Sequence, residues 1–256
     1  MKDLTGKVAI VTGSSSGIGR ASAAALAAAG CRIVVHGREP DDVEHVADQF
    51  TAEGFDAVYV GADLTSPASA AKLLADAARS RWGRIDILVN NAAAIMHRPI
   101  AALSERDWAS VYAVNVHAPF FLVQECVPDL TLTRGCVIMI SSTNAIQVNR
   151  NNLVYDSSKA ALNHLAQGLA LELREAGIRV NTLMPGGTET PSVLQWARDF
   201  AGDEAGAREL IARSARDGKL ATPSQIAEGV LMLASGQADW ITGAVIAIDG
   251  GHRLGD

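Results

Sequence analysis

The sequence predicts an α/β protein: a doubly wound parallel sheet with helices on both faces. Three observations predict it. Short apolar runs alternate with helix-length segments from end to end. A glycine-rich loop joins the first apolar run to the first helical segment. The chain has 256 residues, 48% hydrophobic and 20% charged, a globular balance with enough length for a large core.

The first run, Val8-Ala9-Ile10-Val11, is apolar throughout, as a buried strand requires. An alanine-rich segment at 20–29 favours helix. Further apolar runs at 32–36, 57–60, 85–89, 137–140, 178–183 and 245–248 read as strands. Segments at 41–53, 67–81, 104–127, 155–176 and 223–234 read as helices between them. Such βαβ units take right-handed crossovers. Pro119 lies inside 104–127 and predicts a kink or break there. The segment 187–220 is different, being polar and glycine-containing with only short helical patterns. It follows a late strand, at the carboxyl edge of the sheet, where a substrate lid belongs. No linker, repeat or low-complexity tract divides the chain, so one domain over 1–256 is expected.

Composition excludes several classes of function. A net charge of -6 argues against a nucleic-acid partner, which needs clustered Lys and Arg. No apolar run approaches bilayer length, and the first residues have no signal-peptide core, so no membrane partner is expected. Three scattered cysteines, Cys31, Cys126 and Cys136, fit reduced thiols in the cytoplasm. With six histidines they form no ligand cluster, and no metal is expected.

Two motifs bear chemistry. In Thr12-Gly13-Ser14-Ser15-Ser16-Gly17-Ile18-Gly19, the glycines stand as G-x-x-x-G-x-G between a strand and a helix. By analogy with the dinucleotide fingerprint, Gly13 permits the tight turn, Gly17 close backbone approach to a phosphate, and Gly19 close helix packing. The helix N-terminus offers N–H groups and a positive dipole end to a pyrophosphate. Farther on, Tyr155 and Lys159 stand four residues apart, on one helix face, with Ser142 thirteen residues upstream of the tyrosine. A neighbouring ammonium favours the phenolate, bringing a group with an ordinary pKa of about 10 within reach of acid–base work. Alone, Tyr-x-x-x-Lys is a common accident of helical surfaces.

Together, these residues resemble the short-chain dehydrogenase/reductase family, in its compact single-domain branch. The landmarks fall in the family's order from Leu4 to Gly251: the glycine loop, Asp63-Leu64, Asn90-Asn91-Ala92, Asn115, Ser142, Tyr155 with Lys159, Pro185-Gly186 and Asp249-Gly250-Gly251. The resemblance implies a seven-stranded Rossmann-type sheet. It implies hydride transfer between a nicotinamide cofactor and a carbonyl or alcohol.

The resemblance also implies roles. Tyr155 is the general acid in reduction and the base in oxidation. Lys159 depresses its pKa and hydrogen-bonds the nicotinamide ribose. Ser142 fixes the substrate oxygen; Ser141 competes for this role, and the thirteen-residue interval favours Ser142. Asn115 completes the tetrad and holds a water linking Lys159 to solvent, or else is a structural amide in a kinked helix. Gly13, Ser15, Ser16, Gly17, Ile18 and Gly19 surround the cofactor phosphates. Asp63 meets the adenine amino group, with Leu64 beside it. Asn90 and Ala92 run along the cofactor, and Pro185, Gly186, Thr188 and Thr190 hold its carboxamide and phosphates. The family usually forms tetramers, so a homotetramer or homodimer is expected, packed through 104–127 and 155–176.

Cofactor choice follows from charge. NAD binders of this type place an Asp at the end of the second strand. Here Gly37 stands there and Arg38 follows, able to pair with a 2′-phosphate, which favours NADP over NAD. Ser16 is not basic, and Glu39 and Asp41 bring negative charge nearby, so NAD is retained as the second choice. Ala93 stands where the family has glycine, and a slightly crowded cofactor loop is expected.

Pocket walls are expected from 94–97, 143–145, 149–152, Gly187 and Trp196. Two readings fit the polar run Asn149-Arg150-Asn151-Asn152: contact with a hydroxylated small-molecule substrate, or a solvated turn. His97, His117 and His164 read as structural. Two rival functions stand beside the enzyme: a catalytically silent NAD(P)-binding regulator, disfavoured by the intact Ser142, Tyr155 and Lys159, and a sugar-nucleotide epimerase or dehydratase, for which the chain leaves little room.

Overall fold

The structure, a computed structural model, describes residues 3–38, 40–213 and 219–254, with backbone alone at 40–43 and 213. Its strands are β1 (Val8–Val11), β2 (Arg32–Gly37), β3 (Ala57–Gly61), β4 (Ile87–Asn90), β5 (Cys136–Ile140), β6 (Arg179–Pro185) and β7 (Val245–Ile248). They form one sheet in the order β3-β2-β1-β4-β5-β6-β7, with every pairing parallel.

The helices are α1 (Gly17–Ala28), α2 (Pro40–Ala52), α3 (Pro67–Trp82), α4 (Glu105–Tyr112), α5 (Ala118–Thr133), α6 (Leu153–Leu173), α7 (Pro191–Ala201), α8 (Glu204–Arg213) and α9 (Pro223–Ala234). They cover both faces of the sheet, which is why the strands read as unbroken apolar runs. Successive side chains of β1 divide between two cores. Val8 and Ile10 pack with Leu74 of α3, Leu122 of α5 and Leu162 of α6. Ala9 and Val11 pack with Leu26 of α1 and Val230 of α9. No described helix is long and apolar enough to cross a membrane.

Local chemistry starts the helices where the sequence signals them. Pro67, Pro191 and Pro223 sit in first turns, where a missing N–H costs nothing. Ser104 and Asp107 form a capping box ahead of α4. The break expected at Pro119 falls earlier. Residues 113–117 form a π-turn between α4 and α5, and Pro119 lies harmlessly in the first turn of α5. The strand expected from residue 85 begins at Ile87, because Asp86 turns its carboxylate back to accept from the Val8 N–H at 2.9 Å. Within 187–220, the short helical patterns become α7 and α8, and a bridge between Thr188 and Ala221 closes the base of the segment.

The strand order reverses between β1 and β4, the topological switch point at which open parallel sheets bind ligands. The glycine loop leaves the carboxyl end of β1, and Asn91 leaves that of β4. The catalytic candidates of β5 and α6 stand on the β4 side.

Candidate active site

Thr12 ties the two sides of the switch point together. Its Oγ1 accepts from the Asn91 N–H at 2.9 Å and the Ala92 N–H at 3.0 Å. Asn91 Nδ2 returns a hydrogen bond to the Thr12 carbonyl at 2.8 Å. The loop between is tightly wound: Gly13 and Gly17 have φ of 62° and 55°, in the left-handed region that favours glycine. At Gly19, a Cβ would collide with the Gly13 carbonyl and with Asn91 Nδ2, so this position has no room for a side chain. Ser16 caps α1 with extended backbone and makes no side-chain capping bond, so its hydroxyl satisfies no first-turn N–H.

A residue that the motif reading missed holds this loop in place. The Gly13 N–H donates to His36 Nδ1 at 3.0 Å, and His36 Nε2 lies 3.1 Å from the Ala62 carbonyl. Both bonds are satisfied by the neutral tautomer with its proton on Nε2. Burial holds the imidazole pKa below its ordinary value. The available signal was a histidine at a strand end, two residues before Arg38.

Arg38 and Asp63 line the same cavity as the glycine loop. The Asp63 carboxyl is held below the usual range mainly by hydrogen bonds from Thr65, with a smaller pull from the Arg38 charge. Glu39 and the side chain of Asp41 lie outside the described residues. Leu64, Ala92, Ala93, Pro185, Gly186, Thr188 and Thr190 all contribute to the wall. Thr190 caps α7 by accepting from the Val193 N–H at 3.3 Å, and its methyl would touch a Cβ on Gly17. Asn90 sits beneath the wall, buried, with Nδ2 unpartnered.

Ser142, Tyr155 and Lys159 line the other end of the cavity. The structure separates the two serine candidates. Ser141 is buried and its Oγ donates to the Lys159 carbonyl at 3.2 Å. The Ser142 hydroxyl is half-buried, accepts from the Asn144 N–H at 3.1 Å and lies close enough to Tyr155 to favour its phenolate. Lys159 Nζ stands 5.7 Å from the Tyr155 ring centroid and donates to the Ile140 carbonyl at 2.9 Å.

The electrostatics differ from the simple expectation. Burial pushes the Tyr155 phenol up to about 12, opposed by the Ser142 hydrogen bond and reinforced by the Asp156 charge. Burial also pushes the Lys159 ammonium down to about 8. The low-dielectric wall that brings the pair together thus acts against ionisation of both groups.

Asn115 lies in the π-turn, fully buried and outside the cavity wall. Its Oδ1 accepts from the Ala94 N–H at 2.7 Å, and its Nδ2 donates to the Ala94 carbonyl at 3.0 Å and to Ser158 Oγ at 2.9 Å. Its side chain therefore joins the β4 loop to the helix bearing Tyr155. His97 lines the cavity and packs against Trp196 of α7, with ring centroids 5.2 Å apart and the rings tilted by 32°. His117 and His164 do not line it. Among the described residues, no group of three or more His, Cys, Asp or Glu is placed to hold a metal ion.

One cavity of about 1140 Å³ is lined by the glycine loop, Arg38, Ser142 and Tyr155 together. That is the scale of a large-ligand site. The family model described as short chain dehydrogenase matches residues 7–199. The chain belongs to the short chain dehydrogenase family. This dehydrogenase is 37% identical to 2,3-dihydro-2,3-dihydroxybenzoate dehydrogenase of Bacillus subtilis, over 99% of the chain and 98% of that protein. It is 35% identical to 7alpha-hydroxysteroid dehydrogenase of Escherichia coli, over 97% of the chain and 94% of that protein. The fold is similar to that of L-sorbose reductase from Gluconobacter frateurii, solved with NADPH and L-sorbose, at a TM-score of 0.92 and 30% identity, covering 98% of each chain.

The dehydrogenase's own residues fit a nicotinamide dinucleotide. The glycine loop lines the cavity, α1 opens beside it without a side-chain cap on its first-turn N–H groups, and Arg38 adds a cation to the same wall.

Proposed function

We propose that the protein transfers a hydride between NADPH and a carbonyl compound, or from an alcohol to NADP, with Tyr155 as the proton donor or acceptor. One observation carries this reading: Ser142, Tyr155 and Lys159 share one wall of a cavity that is continuous with the glycine loop. The binding of NADPH by L-sorbose reductase supports the choice of cofactor. Gly13, Ser15, Ser16, Gly17, Ile18 and Gly19 would shape the phosphate cradle, and Arg38 would face the 2′-phosphate. Asp63 and Leu64 would border adenine. Asn90, Ala92, Pro185, Gly186, Thr188 and Thr190 would border the nicotinamide half.

The bound cofactor supplies the hydride. The protein's part is to hold and move one proton. Burial keeps the Tyr155 phenol protonated at neutral pH, which is the form that donates in reduction. Ser142 accepts from the Asn144 N–H, leaving its own O–H to fix the substrate oxygen beside Tyr155. Lys159, held by the Ile140 carbonyl, supplies a cation one helical turn away and a donor to the ribose. Asn115 positions this helix through Ser158.

The same proposal covers organisation. Residues 1–256 form one cofactor-binding and catalytic domain, and 187–220 act as a substrate lid. Trp196 of α7 and Leu210 of α8 line the cavity, which supports the lid. We place the protein in the cytoplasm, a setting that suits its three free, buried cysteines. We assign it as a homotetramer or homodimer through 104–127 and 155–176, where Trp108 and Leu171 are exposed; sedimentation at several concentrations reads the state directly.

The silent-regulator alternative has no observation in its favour. The deciding experiment is a panel of ketones, aldehydes and alcohols assayed by cofactor absorbance, with Tyr155→Phe as control. The variant should lose roughly 10²–10⁴ in kcat while binding NADPH normally. Absence of turnover by the wild type across the panel, with intact NADPH binding, would favour the regulator.

A further inference from the structure

Asp156 follows Tyr155 directly, in the first turn of α6, and is only 6% exposed. Its carboxylate accepts from three donors. Asn144 Nδ2 and Asn152 Nδ2 reach Oδ1 at 2.9 and 2.6 Å, and the Asn149 N–H reaches Oδ2 at 2.8 Å. All three donors belong to the connection between β5 and α6, whose residues also line the cavity. Asn149 and Asn152 of the asparagine-rich run are therefore tied to a buried carboxylate, while Asn149 itself and Arg150 stay exposed.

A carboxylate suits this position physically. It is acceptor-only, with about four lone-pair sites, and its hydrogen bonds are stronger than neutral ones. The first turn of a helix also favours negative charge. Asn144 makes the connection to chemistry. Its side chain donates to Asp156 at 2.9 Å while its backbone N–H donates to Ser142 Oγ at 3.1 Å. One residue thus joins the carboxylate to the hydroxyl that acts on Tyr155.

We propose that Asp156 is a positioning residue for the proton relay: it clamps the 143–152 connection at three points and, through Asn144, orients the Ser142 hydroxyl toward Tyr155. The proposal rests on the reading of Ser142 and Tyr155 as the reacting hydroxyls. Asp156 also acts on charge. Burial raises the Tyr155 phenol and the Asp156 charge adds to that rise; burial lowers the His97 imidazole and the Asp156 charge opposes it, while Lys159 stands three residues farther along the helix.

The test uses the full-length protein with Asp156→Ala, Asp156→Asn, Asn144→Ala and the Asp156→Ala/Asn144→Ala double variant. With a carbonyl substrate from the panel, Asp156→Ala and Asn144→Ala should each lower kcat by roughly 10–100-fold, the cost of a misplaced reacting group. The NADPH Kd should stay within about twofold, because the cofactor half of the cavity is untouched. The double variant should be no slower than the slower single variant, since both break one connection. Asp156→Asn keeps an acceptor oxygen but removes the charge; it should recover part of kcat and move the alkaline limb of the reduction profile to lower pH. The sign follows because loss of a neighbouring anion favours the phenolate.

A second arm needs no turnover. Only three tyrosines are present, so Tyr59→Phe/Tyr112→Phe leaves Tyr155 as the sole phenol. Tyrosinate absorbance in this background, with NADP bound, should begin at lower pH when Asp156→Asn is added. If the wild type turned over no carbonyl, the hydride-transfer reading would fail while this titration still reported on Asp156. Multiplying single-variant losses, NADPH affinity falling in step with kcat, or an unmoved tyrosinate onset would each overturn the positioning role.

Discussion

The Gly13 N–H donates to His36 Nδ1 at 3.0 Å, so the first glycine of the loop after β1 is held by a side chain from the neighbouring strand. The bond needs an unprotonated Nδ1. Burial already lowers the His36 pKa, which means the unfolded chain takes up this proton more readily than the folded one. The stability contributed by neutral His36 is thus fully present above about pH 6.5 and declines as pH falls below it. NADPH affinity should weaken over the same acidic range. His36→Leu should cost about 1–3 kcal/mol in stability by orphaning buried partners. It should also remove the pH dependence of affinity, as measured by fluorescence titration between neutral and mildly acidic pH. His36→Asn should restore affinity in part.

Lys159 makes a second prediction with the opposite chemical aim. Its folded-state pKa of about 8 lies below the ordinary 10.5, so the unfolded chain holds the proton more tightly between these values. Stability should rise with pH across that window and carry the full penalty, roughly 3 kcal/mol, below it. Lys159→Met should flatten this rise in chemical-denaturation measurements. At neutral pH the relief of a buried charge offsets the loss of the hydrogen bond to the Ile140 carbonyl, about 1–3 kcal/mol. The variant should therefore fold with near-normal stability while losing turnover.

Arg38 governs the third. If its cation meets the 2′-phosphate, Arg38→Asp should weaken NADPH binding roughly 10–100-fold, the worth of a charge-assisted hydrogen bond. NADH should become the better cofactor, because a carboxylate accepts from the ribose diol. An unchanged ratio of the two kcat/KM values would remove Arg38 from cofactor selection.

Gly19 provides a steric test. A methyl there would stand 2.2 Å from the Gly13 carbonyl oxygen, which is backbone and has little room to yield. Gly19→Ala should destabilise the fold by about 1–3 kcal/mol and spoil the cradle, so that saturation with NADPH recovers less of the lost Tm than in the wild type.

Much of this molecule was readable in one dimension. Seven apolar runs became seven strands, since a strand covered on both faces must be apolar throughout. Gly13 announced a tight turn, and Tyr155 and Lys159 announced a shared helix face, because both are properties of local backbone geometry. The break between α4 and α5 was foreseen but misplaced. Pro119 is the visible helix breaker, whereas the π-turn at 113–117 leaves no equally plain local signal.

What the sequence determined by itself was the α/β class, the order of elements and which side chains share a turn, all set by short-range periodicity. Tertiary structure alone decided that His36 supports the glycine loop and that Asp156 gathers the 143–152 connection. It also decided that burial opposes ionisation of both Tyr155 and Lys159. These properties depend on desolvation and on partners brought from distant segments, as when Asn115 meets Ser158 across 43 residues. Such partnerships exist only once the sheet has formed and its loops have met at the switch point.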